Sequence, residues 1–154
     1  MNIRNYTSTV PASKSVEAIE RLLVAAGATH IMRQYADGSL TGFVFALAVA
    51  GKSITFKLPS NPSAVKRLLE KERSVMRRIR PETIKRLQEQ SERTAWKLLY
   101  DWMSVQISLI QMGQADAVQV FLPYAYNPLT EKTVYEQFKE GGFKALAAGK
   151  EVSR

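Results

Sequence analysis

The stretch from Glu82 to Met112, bounded by Pro81 and Gly113, constrains the fold of this 154-residue chain more than any other feature. Proline breaks or restarts a helix and glycine commonly ends one, so the stretch predicts a single long helix. At about 1.5 Å per residue it would be roughly 45 Å long, more than the width of most small domains. Its second half has two adjoining apolar stripes, which are Leu98, Trp102, Val105, Leu109 and Met112, then Leu99, Met103, Ile107 and Ile110. We expect that half to be buried, against the rest of the domain or against a second copy in a homodimer.

The residues before this helix predict one shorter helix followed by three antiparallel strands. Residues 3–10 are expected to form an edge strand, and Ser13 to cap the first helix, which Gly27 ends. The apolar stripe of that helix consists of Val16, Ile19, Leu22, Leu23 and Ala26. Alternating apolar residues then predict strands at 29–36, 40–49 and 53–58. Asp37-Gly38 predicts a hairpin turn between the first two strands. Because both faces of 40–49 are apolar, that strand is expected to be central and covered on both sides.

Two further helices are predicted outside the long one. Asn61 before Pro62 is typical of a helix start, and apolar residues follow at helical spacing at Val65, Leu68, Leu69, Val75, Met76 and Ile79. After the long helix, a short strand is expected at 118–122. A last helix at 131–140 would be capped by Thr130 and ended by Gly141-Gly142, with a tail from about 142 that frays.

Together these elements predict one α+β domain over residues 1–154. It would contain an N-terminal helix, a three-to-four-stranded antiparallel sheet, and long helices packed on one face, with a basic helical segment at 62–112. The order helix, three strands, helix over 13–80 is also that of double-stranded RNA-binding domains, which read duplex shape and phosphates. The likeness is one of topology only, because the lysine-rich helix start and the histidine-bearing hairpin of that family are missing. No site is transferred from it.

The composition removes several classes of function. The chain has no cysteine, which excludes disulfides, thiolate metal sites and a Cys nucleophile, and His30 is its one histidine. No apolar run of about 18 residues is present, and the N-terminus lacks the apolar core of a signal peptide, so a cytoplasmic protein is expected. Gly51-Lys52-Ser53 imitates the end of a phosphate-binding loop, but Ala46 stands where that motif needs glycine, and the turn joins two strands. We therefore expect a non-enzymatic protein with no cofactor and no metal.

The positive charge is concentrated in one part of the chain. The whole sequence has 22 basic and 14 acidic residues, a net charge of +8, whereas residues 61–100 alone have 11 basic and 5 acidic residues. A cluster of this kind indicates a polyanion-binding surface, although exposed helices are also often rich in Lys and Arg. In the helix at 62–79, the candidate phosphate-binding residues line the two edges of the apolar stripe, namely Lys66, Arg67, Arg73, Arg77 and Arg78. In the long helix, Arg86, Arg93 and Lys97 project together, opposite much of the Leu87/Leu98 stripe.

Two aromatic residues, Trp96 and Tyr100, lie beside these cations on the helical wheel. Arg and Lys next to an aromatic ring can pair with phosphates while the ring stacks on a base. The alternative is that Trp96 packs under the C-terminal helix, against Phe138 or Phe143, and core burial is the commoner position for tryptophan.

A longer pattern resembles a group of small phage- and mobile-element-encoded proteins. That group shares A-W-x-x-L-x-D-W-x-x-x-Q-x-x-L-I-x-x-G…F-L-P-Y, which this chain matches from Ala95 to Gly113 and at 121–124. The K-S-V-E-x-I-x-x-L-L helix and the F-x-L-P strand end at Phe56–Pro59 are similar as well. The resemblance implies a phage setting rather than a mechanism. Asp101, Trp102 and Gln106 within it either serve function or form a polar network that fixes the long helix.

The leading hypothesis is therefore a non-enzymatic nucleic-acid-binding protein, DNA or RNA, of phage or mobile-element origin in the host cytoplasm. The alternative is an anti-defence protein that sequesters a small nucleotide signal or inhibits a host protein. A nucleotide-binding protein would need a concave pocket in which cations and aromatic rings converge.

Overall fold

The computed structural model of the chain describes residues 4–73 and 81–149. The first helix and a three-stranded sheet are α1 (Ala12–Ala25), β1 (His30–Ala36), β2 (Ser39–Val49) and β3 (Lys52–Pro59). Two helices follow, α2 (Pro62–Arg73) and α3 (Pro81–Gln111). The remaining elements are α4 (Ala117–Phe121), a 3₁₀ turn (Leu122–Tyr124), β4 (Tyr126–Asn127), β5 (Lys132–Thr133) and α5 (Val134–Glu140). The predicted α+β class and the order of one helix, three antiparallel strands and a long helix are confirmed.

The main sheet is antiparallel with the strand order β1-β2-β3. Asp37 and Gly38 have φ angles of 50° and 76°, which a two-residue turn between twisted strands requires, so the predicted hairpin is confirmed. β2 is the central strand, and its Phe45 stands opposite Ile31 on one side and Phe56 on the other. A separate two-stranded sheet of β4 and β5 was not predicted.

The hydrophobic core lies on one face of this sheet. The sheet contributes the buried residues Phe43, Phe45 and Phe56 to this core. Phe121 and residues of α1 and α3 pack against them. The residues from these two helices are Val16, Ile19, Leu23, Trp96, Met103 and Ile107. The other face of β2 is also buried at Val44 and Ala46. These two residues lie between their partners in the flanking strands, so the prediction that β2 is central is confirmed. The prediction that it is covered on both sides is not confirmed, because Met32 and His30 on this second face are exposed.

Local signals fix most of the helix ends. Asn61 Oδ1 accepts a hydrogen bond from the Ala64 amide at 3.0 Å, as expected for a helix cap, and Gly27 and Gly113 follow α1 and α3 with φ angles of 90° and 70°. The cap predicted at Ser13 is wrong, because α1 begins at Ala12 and makes no side-chain cap bond. The part of the second helix predicted beyond Arg73, at 75–79, lies outside the described residues.

Two other predicted elements are wrong, and the last helix is confirmed except for its start and its cap. Residues 4–10 form turns rather than an edge strand, because their carbonyl groups accept hydrogen bonds from side chains of α3. The strand expected at 118–122 is the helix α4, which Asp116 and Gln119 stabilise with a reciprocal capping box. The last helix starts at Val134 rather than 131, because Thr133 and not Thr130 caps it, again through a capping box with Glu136.

The second half of α3 is buried on one side only. Met103 and Ile107 are in the core, whereas Leu98, Val105 and Met112 are 40%, 58% and 64% exposed. The expectation that this half is buried within the chain on both apolar stripes is therefore wrong for the stripe that begins at Leu98.

Candidate nucleic-acid interface

The helices α2 and α3 pack side by side in opposite directions. The start of α2, at Ala64 and Val65, lines an apolar groove together with Leu98 and Trp102 of α3. If the two helices were parallel, Arg73 would lie about 40 Å from Pro81, whereas eight residues of extended chain span at most about 28 Å. The end of α2 and the start of α3 therefore lie at the same end of the molecule.

We call this end the basic tip and define it as residues 66–73 and 81–86. It contains six basic and three acidic residues. Arg67, Lys85 and Arg86 are exposed, and none of them has an ion-pair or hydrogen-bond partner within the described ranges. Lys66 is less available, since its side chain is 31% exposed and its Nζ lies 4.0 Å from Glu70.

Three predicted phosphate-binding residues have side chains that the structure does not describe. Arg73 ends α2, and Arg77 and Arg78 lie in 74–80, outside the described residues. Lys85 was not among the predicted residues. The same charge count that selected its neighbour Arg86 could have found it.

Lys97 and Tyr100 are occupied by contacts within the chain. The Lys97 ammonium lies 2.7 Å from Asp101 Oδ1 and 4.7 Å from the centre of the Tyr100 ring. Asp101 also accepts hydrogen bonds from Asn5 Nδ2 at 2.9 Å and from Arg4 Nε at 3.3 Å. Lys97 and Tyr100 therefore each have a partner within the chain, and their binding to phosphate and base stays a prediction.

The same contacts set the protonation of Asp101. Partial burial acts to raise the pKa of its carboxyl, but hydrogen bonds from Lys97 and Asn5, together with the charges of Lys97 and Arg4, outweigh it and lower the pKa. Asp101 therefore stays charged and holds the N-terminal segment against α3. The predicted polar network exists, but it joins Asp101 to Lys97 and the N-terminus rather than to Trp102 and Gln106.

Arg93 is linked to the same N-terminal segment through Gln90. Its Nη2 donates to Gln90 Oε1 at 2.8 Å, and Gln90 in turn donates to the carbonyl groups of Tyr6 and Ser8. Arg93 is half-buried, and its Nε is buried with no hydrogen-bond partner in the described part of the chain. Arg93 is therefore less available to a ligand than the exposed cations of the basic tip.

Trp96 belongs to the core and cannot stack on a base. It is 2% exposed and meets the Phe43 ring edge-on, with ring centres 5.5 Å apart. The alternative in which Trp96 is buried is confirmed, although its partner is Phe43 of the sheet rather than Phe138 or Phe143. On this side of α3, the half-buried Tyr100 is the aromatic residue that lies beside a cation, Lys97.

The described residues were also compared with the requirements of a metal site and of a membrane span. Within 4–73 and 81–149, no three His, Asp or Glu side chains come together as metal ligands. No helix in those ranges is long and apolar enough to cross a membrane. Comparison of the chain with family models, with curated proteins and with solved structures returns no significant match.

Proposed function

We propose that this protein binds nucleic acid through the basic tip. The observation that supports this most strongly is that Arg67, Lys85 and Arg86 are exposed and carry charge that no acidic side chain in the described ranges neutralises. They belong to a segment, residues 66–86, with nine basic and three acidic residues. Excess cationic charge of this kind attracts a phosphate backbone and gains affinity by releasing its counterions.

Because Trp96 is buried and the Lys97 ammonium lies over the Tyr100 ring, we expect stacking to contribute little to binding. Stacking is what favours single strands, since their bases are free to contact aromatic rings. With phosphate contacts alone, affinity follows charge density, which is higher in a duplex. We therefore expect binding without sequence preference and at least as tight for a duplex as for a single strand.

The test is a fluorescence-anisotropy titration of a labelled duplex and its single strand at two salt concentrations. Each neutralised phosphate contributes a slope of about −0.9 in log K against log salt, so three contacts give about −2.7 and six give about −5.4. Between about 50 mM and about 200 mM salt, affinity should fall about 40-fold for three contacts and about 1,800-fold for six. Absence of binding at the lower salt concentration would refute the proposal.

A second copy of the chain is proposed as the partner of the exposed stripe on α3. Residues 98–130 contain no Lys or Arg and only two acidic residues, so this stretch of the chain is almost uncharged. Leu98 and Val105 of α3, and Met112 directly after it, recur every seven residues, the spacing at which two helices pack against one another. Two molecules of net charge +8 would meet most easily at these uncharged faces, with their basic tips apart.

Sedimentation velocity tests this contact. The wild type should sediment as a dimer and Val105→Glu as a monomer, whereas Leu129→Glu should remain dimeric because it places the same charge at an exposed loop residue outside the stripe. A wild type that is still monomeric at about 100 μM would rule out the dimer. The free energy of dimerisation would then be weaker than about −5.5 kcal/mol, which corresponds to a Kd of about 100 μM.

No reaction and no cofactor are part of the proposal. The sequence resemblance alone supports three further parts of the proposal. These are a phage or mobile-element origin, action in the host cytoplasm, and an anti-defence role as the alternative function. An anti-defence protein that inhibits a host protein would not need the basic tip, so the salt titration separates it from the leading proposal.

A further inference from the structure

A pocket of about 420 Å³ lies between β3, the 3₁₀ turn and α5, and it shares Tyr124 with the apolar groove beside α2. Small-molecule sites in proteins commonly have volumes of about 300–1,000 Å³. The side chains that matter here are Lys57, Tyr124, Thr133, Tyr135, Glu136 and Lys139.

The fold brings these residues together from distant parts of the sequence. Phe56 of β3 pairs with Ala125, whose carbonyl accepts a hydrogen bond from the Val134 amide at 2.9 Å at the start of α5. This connection places α5 beside the strand. Lys57 lies between the buried Phe56 and Leu58, so strand alternation turns it away from the core and toward the pocket.

Two cations and two rings converge on this space. The Lys57 ammonium lies 5.3 Å from the centre of the Tyr126 ring, which holds it near the pocket, and Lys139 contributes the second cation from α5. The Tyr124 ring is fixed at 5.6 Å from Trp102, whereas the Tyr135 ring is 51% exposed. Lysine binds phosphate as a point charge, and a tyrosine face can stack on a base of any kind.

One acidic residue also lines the pocket. Glu136 Oε2 accepts hydrogen bonds from the amide of Thr133 at 2.7 Å and from its hydroxyl at 3.2 Å. Its carboxylate is therefore held at the start of α5 as a cap. The two lysines still leave the pocket with one excess positive charge.

We propose that this pocket binds a nucleoside 5′-monophosphate, with the phosphate between Lys57 and Lys139 and the base against Tyr135. A ligand with both groups fits the lining better than one with either group alone, since the cations and the rings would otherwise be left unused. The proposal does not depend on nucleic-acid binding at the basic tip, which lies on other elements.

Isothermal titration calorimetry with AMP, GMP, CMP and UMP tests the site, with adenosine and inorganic phosphate as the probes that carry one group each. At least one monophosphate should bind with a Kd below about 1 mM, and more tightly than adenosine or phosphate. Lys139→Ala should weaken that binding by about tenfold or more, because a hydrogen bond to a charged group is lost. Lys144→Ala is the matched control, since Lys144 is exposed near the same helix but does not line the pocket.

Two further variants make the result specific to this geometry. Tyr135→Leu should weaken binding of the monophosphate but leave the affinity for inorganic phosphate unchanged. Glu136→Gln keeps a residue that can complete the capping box while removing the negative charge, so it should strengthen binding severalfold. The inference is overturned if none of the four monophosphates binds more tightly than phosphate, or if Lys144→Ala weakens binding as much as Lys139→Ala does. Lys139→Ala should leave the affinity for a duplex unchanged, so failure of this site and failure of the basic tip give different results.

Discussion

Replacing Trp96 by alanine should destabilise the fold strongly without removing a nucleic-acid contact. Trp96 is 2% exposed and contacts Phe43 edge-on, so the substitution leaves a cavity between α3 and the sheet. Truncation of a buried Trp to Ala costs about 3–5 kcal/mol, of which the ring contact contributes about 0.5–1.5 kcal/mol. For a chain of 154 residues, this corresponds to a fall in Tm of about 6–20 °C.

Urea denaturation followed by circular dichroism measures this loss, and duplex affinity is measured on Trp96→Phe, which keeps an apolar ring in the core. We expect Trp96→Phe to bind a duplex within about twofold of the wild type, because no contact with the ligand changes. Leu129→Ala serves as the stability control, since Leu129 is 94% exposed. If Trp96→Ala changed the free energy of unfolding by less than about 0.5 kcal/mol, as surface substitutions do, the placement of Trp96 in the core would be refuted.

Three further predictions concern stability. Asp101→Asn should lower the free energy of unfolding by about 1–2 kcal/mol at neutral pH, because the hydrogen bonds that Asp101 accepts from charged groups are weakened. Because folding lowers the pKa of Asp101, the stability that its carboxylate contributes is complete above about pH 5 and is lost as the pH falls below about 4. The melting temperatures of wild type and Asp101→Asn should therefore converge in acid. A difference that stays constant with pH would contradict this prediction. Gly38→Ala should cost about 1–2 kcal/mol in urea denaturation, because the φ of 76° is strained for alanine although its Cβ meets nothing within 4 Å; an unchanged midpoint would show that the turn has another conformation. Thr133→Ala should cost about 1 kcal/mol by removing the cap of α5, and Thr133→Ser should restore it; equal losses in both would argue against the capping box.

The parts of the fold that the sequence predicted are those set by local chemistry. The start and end of α3 follow from Pro81 and Gly113, and the β1–β2 hairpin follows from Asp37-Gly38. Residues 118–122 include β-branched valines, which are typical of a strand, but they form a helix because Asp116 and Gln119 make a capping box. That capping signal is present in the sequence. The N-terminal segment could not be predicted, because its conformation depends on Gln90 and Thr94, more than eighty residues away.

The candidate site likewise has one part that the sequence predicts and another that depends on the folded structure. The basic segment could be predicted because charge is a property of composition. Which cations are free is decided by contacts in the folded chain, in which Arg93 donates to Gln90 and Lys97 pairs with Asp101. The pocket between Lys57 and Lys139 joins residues far apart in the chain and has no local pattern.

The most direct test of the account compares two triple charge reversals in the duplex-binding assay. Arg67→Glu/Lys85→Glu/Arg86→Glu alters the basic tip, and Lys14→Glu/Lys52→Glu/Lys144→Glu alters exposed lysines elsewhere. Each substitution removes two units of charge, so both variants fall from a net charge of +8 to +2 and differ only in where the charge is lost. At about 50 mM salt, the variant at the tip should lose at least about 100-fold in affinity and the control less than about tenfold. Equal losses in the two variants would contradict the account, because net charge rather than the basic tip would then determine binding.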